Sequence, residues 1–89
     1  MAKRIPLWCG GMLETGVGRA LNVHLATLPG FTLPNDISAT KRYFREDIAE
    51  PPFELRDGFI PVPKRPGLGV EINWDRLLRS CTWSRTWKL

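Results

Sequence analysis

The sequence predicts an α/β fold, and three features carry that prediction. Ile5-Pro6-Leu7-Trp8-Cys9 is a short apolar run, too brief for a helix and followed by glycines, so it reads as a buried strand. Beyond Gly10-Gly11 and the loop Met12-Leu13-Glu14-Thr15, residues Val17, Leu21 and Leu28 keep helical spacing, with Ala20, His24 and Leu25 on the same side. After Pro51-Pro52 the hydrophobic period changes to two. Strand, glycine-rich turn and amphipathic helix make one half of a βαβ unit. Such units place chemistry in the loop after the strand's carboxyl end, here Gly10 to Thr15.

Each further element has a local reason. Thr15 is suited to cap the helix, although Gly16 and Gly18 weaken its first turn by up to about 1 kcal/mol each against alanine. Glycines there signal a close backbone approach. A strand–glycine loop–helix start also suits an anion. Gly16-x-Gly18 lacks the third glycine of a dinucleotide fingerprint, however, and no Gly-Lys-Ser/Thr follows, so tight packing is the favoured explanation. Pro29-Gly30 ends the helix, Phe31-Thr32-Leu33 begins a second strand, and Pro34-Asn35-Asp36 closes it. Asp36 or Ser38 is expected to cap the next short helix. Thr40 to Ile48 reads as a helical turn or two, with Tyr43, Phe44 and Ile48 available to pack and its charges on a solvated face. Phe53–Arg56, Asp57-Gly58 and Phe59–Val62 form a hairpin with a type I′ turn signal, in which Leu55 faces Ile60 and Phe53 faces Val62. Pro61 makes its strand an edge. Residues 63–69, PKRPGLG, read as an extended loop, Val70-Glu71-Ile72 resumes the strand pattern, and Asn73 caps a short helix from Trp74 to Arg79.

Composition narrows the functional classes. Eighty-nine residues with 43% apolar content belong to a single globular domain. No run is long enough to span a membrane, and Ile5 to Trp8 is too short for a signal sequence, so a cytoplasmic chain is expected. Cys9 and Cys81 show no metal-ligand spacing and read as two reduced thiols. The net charge of +4 comes from the end of the chain, which from Arg76 onward carries Arg76, Arg79, Arg85 and Lys88 and no acidic residue. Interleaved with Trp83 and Trp87, these cations suit stacking on single-stranded bases, but a basic tail is a weaker signal than a basic groove. His24, the single histidine, sits in mid-helix with no Asp or Glu in its own turn and reads as a packing residue.

WCGGMLETGVGRALN, LPGFTLPNDISA and DGFIPVPKRPGLGV stand in this order between Ile5 and Trp74. Together they resemble the end of the barrel domain of the o-succinylbenzoate synthases and N-acylamino acid racemases of the enolase superfamily. The resemblance implies a fragment of a (β/α) barrel, its last two strands and the helix between them, followed by a C-terminal β-hairpin and short helix. Residues 1–50 would be the end of the barrel domain and 51–78 a segment packing on a capping domain. Residues 79–89 are read as an extension without family resemblance. Met1 to Arg4 would finish the preceding barrel helix.

The reaction implied is a Mg²⁺-dependent proton abstraction next to a carboxylate, either a dehydration of menaquinone biosynthesis or a racemisation. It needs a lysine on each side of a small carboxylate substrate and a cluster of carboxylates for the metal. In the family these come from the second to sixth strands, so this chain is expected to hold no catalytic or metal residue. Lys3, Lys41, Lys64 and Lys88 match none of the catalytic lysines. The resemblance assigns Gly10, Gly11, Met12 and Leu13 to the pocket around the substrate's acyl or succinyl arm. Glu14 is expected to orient that loop or to pair with Arg19. A membrane partner is not expected and nucleic acid is disfavoured. The alternative is a small basic binding module using the Arg/Trp tail. A barrel closes with eight strands, typically in about 250 residues, and two strands leave open edges, so the isolated chain is expected to be partly folded or aggregation-prone.

Overall fold

The structure, a computed structural model, describes residues 5–87; the readings for Met1–Arg4 and for Lys88 lie outside it. The order is helix α1 (Gly16–Leu25), a single 3₁₀ turn (Thr40–Arg42), strand β1 (Ala49–Glu50), strand β2 (Glu71–Ile72) and helix α2 (Trp74–Ser80).

The two segments expected as strands flank α1 and run side by side in the same direction, but neither is a regular strand. The Leu7 N–H donates to the Gly30 carbonyl at 3.0 Å, and the Leu33 N–H donates to the Leu7 carbonyl at 3.1 Å. One residue too many separates these two partners for an even parallel ladder. Further along, the Cys9 N–H donates to Asn35 Oδ1 at 2.7 Å, so a side chain stands where a backbone carbonyl belongs. The Asp36 N–H closes the pairing on the Cys9 carbonyl at 2.8 Å. Pro6 and Pro34 have no N–H to give to either side.

Helix α1 begins where expected. Thr15 holds the extended cap conformation, yet its side chain makes no capping bond. The helix ends at Leu25, one turn before Pro29. There the Thr27 hydroxyl donates to the His24 carbonyl at 2.6 Å, and Thr27 and Leu28 close 3₁₀-type bonds instead of α-helical ones. The expected face is corrected. Gly16, Arg19, Ala20 and Val23 are buried, whereas Leu21 and Leu28 are 59% and 51% exposed. Small residues at i, i+4 and i+7 let α1 lie close to its neighbours and turn the leucines away. At Gly16 the approach is closest, since a Cβ would meet the Ala49 Cβ at 2.6 Å and Asp47 Oδ2 at 2.7 Å.

Helical structure after Thr40 stops at Arg42 and does not reach Ile48. Neither Asp36 nor Ser38 caps it; Ala39 holds the cap position. Asp47 Oδ1 takes the Ile48 N–H at 2.7 Å, and Glu50 precedes proline, which favours extended backbone. Ala49–Glu50 therefore becomes β1 and pairs antiparallel with β2, Ala49 opposite Ile72 and Glu50 opposite Glu71. The peptide bond from Glu50 to Pro51 is cis.

The hairpin turn forms as expected, with positive φ at Asp57 (51°) and Gly58 (82°) and paired bonds between Arg56 and Phe59. The pairing does not continue, because Phe53 leaves Val62 for the core. Its N–H donates to Thr40 Oγ1 at 2.8 Å and its carbonyl accepts from the Thr40 N–H at 2.9 Å. Ala20, Val23 and Phe53 form that core, with Ile37, Ile60 and Val70 packed against it. Asn73 caps α2 by accepting the Arg76 N–H at 3.1 Å. Arg76 then ties the corner together, reaching Glu50 at 3.1 Å and the Asp47 carbonyl at 3.2 Å.

Replacing Gly16 by alanine should drive a methyl group into Asp47 and Ala49 and lower stability by about 1–3 kcal/mol. A urea midpoint identical to that of the unaltered chain would contradict the close docking of α1.

Candidate functional site

Both parallel segments deliver their carboxyl ends to one side of the molecule, and the loops that follow them are pinned to each other there. Gly11 lies under the Asp36 carbonyl so closely that a Cβ would collide with it. Only glycine permits that approach. Asn35 and Asp36 hold Cys9 from the other side through the two bonds described above.

Out of this junction Met12 and Leu13 project into solvent, 77% and 68% exposed. Their backbone is held by Glu14, whose Oε1 accepts the Met12 N–H at 2.8 Å and the Asn22 amide at 3.2 Å. Glu14 thus clips the loop to the side of α1. Burial pushes its carboxyl up, but the Met12 and Glu14 backbone N–H groups, the Asn22 amide and the Arg19 charge outweigh this and leave it below its ordinary value. No ion pair joins Glu14 to Arg19 among the described residues; Arg19 acts on it through its field. Burial, with a contribution from the Glu14 charge, raises the Cys9 thiol. An open hollow of about 430 Å³ lies between Trp8, Leu33, Pro34, Asn35 and Asp36 on the same side.

The four residues singled out from sequence, Gly10, Gly11, Met12 and Leu13, therefore share one loop beside Asp36. His24 is elsewhere, with Nε2 against the Leu68 carbonyl at 2.8 Å. Asn35 was not foreseen, since nothing in Pro34-Asn35-Asp36 distinguishes a turn asparagine from one that replaces a strand bond. Arg19 was named only as a partner for Glu14, yet it is the largest fully buried side chain, 1% exposed. It lies 5.8 Å from the Tyr43 ring centre, and among the described residues Nη1 and Nη2 find no hydrogen-bond partner. Among the described residues no group of three His, Cys, Asp or Glu side chains is placed to hold a metal ion. These residues therefore do not fit a Mg²⁺ site by themselves. No helix among them is long and apolar enough to cross a membrane.

A parallel pair joined through a helix, with a glycine loop at its carboxyl end, is the geometry at which α/β folds place their ligand sites. Residues 1–76 match the family described as Enolase C-terminal domain-like, and the chain belongs to that family. It is 57% identical over 76 residues to an o-succinylbenzoate synthase of Bacillus subtilis, covering 85% of this chain and 20% of that protein. It is 55% identical over 86 residues to an N-succinylamino acid racemase of Amycolatopsis, covering 97% of this chain and 23% of that protein. The second match runs past Leu78, into the stretch that the sequence reading set apart from the family. A crystal structure of an enolase superfamily member from Listeria innocua superposes with a TM-score of 0.77 at 51% identity, over 81% of this chain and 19% of that one. The chain thus spans about a fifth of the length of the relatives it matches.

Because the Glu14 carboxyl is depressed, the loop clip is fully present above its ordinary value of 4.5 and is lost as pH falls through the lower folded value. The protection of the Met12 amide, its exchange rate relative to that of an unprotected amide at the same pH, should drop in that acid range, and Glu14→Gln should remove the acid step; a step that survives the substitution would assign it to another group. At neutral pH a thiol reagent should modify exposed Cys81 quickly and buried Cys9 slowly, and two equal rates would contradict the burial of Cys9.

Proposed function

We propose that this chain is a portion of an enolase-superfamily enzyme with o-succinylbenzoate synthase or N-succinylamino acid racemase activity. In this reading the two parallel segments are the last two strands of a (β/α) barrel, and Gly10 to Leu13 border the pocket for the substrate's acyl or succinyl arm. The observation that supports it most directly is the loop itself. Glu14 holds the Met12 backbone from below, Gly11 lets the loop press against the Asp36 turn, and two apolar side chains are left standing outward. That arrangement suits contact with the carbon chain of a carboxylate substrate, since apolar surface gains from leaving water. The relatives' names, o-succinylbenzoate synthase and N-succinylamino acid racemase, both denote succinyl-bearing compounds.

The acid/base lysines and the Mg²⁺ ligands belong, in this proposal, to elements outside the chain. What the chain's own residues do is bind and orient. Glu14 and Asn22 fix the loop, Met12 and Leu13 meet the arm, and Asn35 keeps the neighbouring turn in register.

The purified chain should turn over neither N-succinylamino acids nor the o-succinylbenzoate precursor with Mg²⁺ added, and measurable turnover by the chain alone overturns the proposal. Grafted into the Amycolatopsis racemase in place of the stretch it matches, the same residues should support racemisation. In that graft, Met12→Asp with Leu13→Asp should raise KM by about tenfold or more. An unchanged KM would remove the loop from the pocket.

A further inference from the structure

Gly18 is a glycine that its own helix does not need. It lies in the first turn of α1 in helical conformation, where alanine is the better residue. Outside α1, a Cβ at this position would come within 4 Å of only two atoms among the described residues, both in one side chain: Glu14 Cβ at 3.1 Å and Glu14 Cγ at 3.2 Å. Carbon atoms rest at about 3.5–4.0 Å, so a methyl group and the Glu14 stem compete for one space. Gly16 differs, since its bare Cα faces Asp47 and Ala49 and serves the docking of the helix. From Gly18 the Glu14 stem runs toward Asn22, one turn further along the same side of α1, where Oε1 accepts the side-chain amide at 3.2 Å. The same oxygen holds the Met12 N–H at 2.8 Å. Gly18 is thus the floor of a notch in α1. The depth of that notch sets how far the carboxylate, and the Met12 backbone attached to it, stand from the helix.

We propose that Gly18 is a specificity-determining residue, which by seating Glu14 deep on α1 places Met12 and Leu13 for an acyl arm of succinyl length. It touches no substrate and acts through Glu14. The inference rests on the enzymatic reading above for the arm, and on the contacts of Gly18 alone for the seat. A methyl group at residue 18 is accommodated by Glu14 and not by the helix, whose turn is closed there by the Arg19 N–H on the Thr15 carbonyl at 2.9 Å. The carboxylate lifts, its two hydrogen bonds lengthen, and the loop is carried off its position. A gap of about 0.5–1 Å already forfeits a quarter to a half of each van der Waals contact, so an arm against Met12 and Leu13 registers a small movement. Arms too short to reach these side chains do not.

The seat is read on the full 89-residue chain. Gly18→Ala should lower the hydrogen-exchange protection of the Met12 amide about tenfold. Beside Glu14→Gly, which removes both opposing atoms, the same substitution should leave that amide unchanged and raise the urea midpoint, as alanine does in a helix. Full protection of Met12 in Gly18→Ala overturns the seat, as does an equal midpoint change in both backgrounds. The arm is read in the Amycolatopsis graft. There Gly18→Ala should raise KM for N-succinylamino acids about fivefold with kcat within about twofold, and leave KM for N-acetylamino acids, whose acyl group is shorter, where it was. A fall in kcat with both substrates, or an equal rise in KM for both, reduces Gly18 to a structural role and overturns the proposal while the enzymatic reading stands. A graft inactive with glycine at residue 18 sinks the enzymatic reading and the arm with it, and the Met12 amide then still decides the seat.

Discussion

Four hydrogen bonds between Leu7–Cys9 and Gly30–Asp36 set the position of everything else in this chain. They fix two segments in a common direction, so the connection between them must cross over, and α1 is that crossover. They also bring the loop after the first segment against the turn after the second. Without them Gly11 has no reason to lie beneath Asp36, and Met12 and Leu13 have no defined place to point from. Because only one side of each segment is used, the same bonds leave the Trp8 edge open. The loop pressed against Asp36 and the open edge at Trp8 are two consequences of a single pairing.

The helix is held by different means. Small residues, Gly16, Ala20 and Val23, bring it close to β1 and Phe53, while two buried polar side chains sit in the same contact. Arg19 and Asp47 each keep nitrogen or oxygen atoms without a partner among the described residues. Unpaired buried polar atoms cost free energy and contribute directionality only when they are met. Their concentration on the inner face of α1, together with the leucines on its outer face, inverts the usual amphipathic arrangement.

What was legible in the sequence was local. The Asp57-Gly58 turn and the Asn73 cap follow from the chemistry of two or three adjacent residues, and both form as read. The α/β class was legible from an apolar run, a glycine turn and a helical spacing in succession, and the family because several motifs agree in order. The role of Glu14 as a loop clip was legible from its place in one of them. The pairing of Ala49–Glu50 with Glu71–Ile72 was not, since two-residue strands carry no period and their partners lie 22 residues or so apart. Nor was the true face of α1. Helical spacing marks a shared side without saying which side is covered, and here Leu21, Leu25 and Leu28 are the exposed one. Asn35 shows a third limit: a side chain that completes a backbone ladder leaves no trace in composition or spacing.

The core of Ala20, Val23 and Phe53 contains one large apolar side chain. Unfolding such a core uncovers little hydrocarbon, and the heat capacity of unfolding scales with the hydrocarbon uncovered. Its stability curve should therefore bend only slightly with temperature, on the cold side as on the warm.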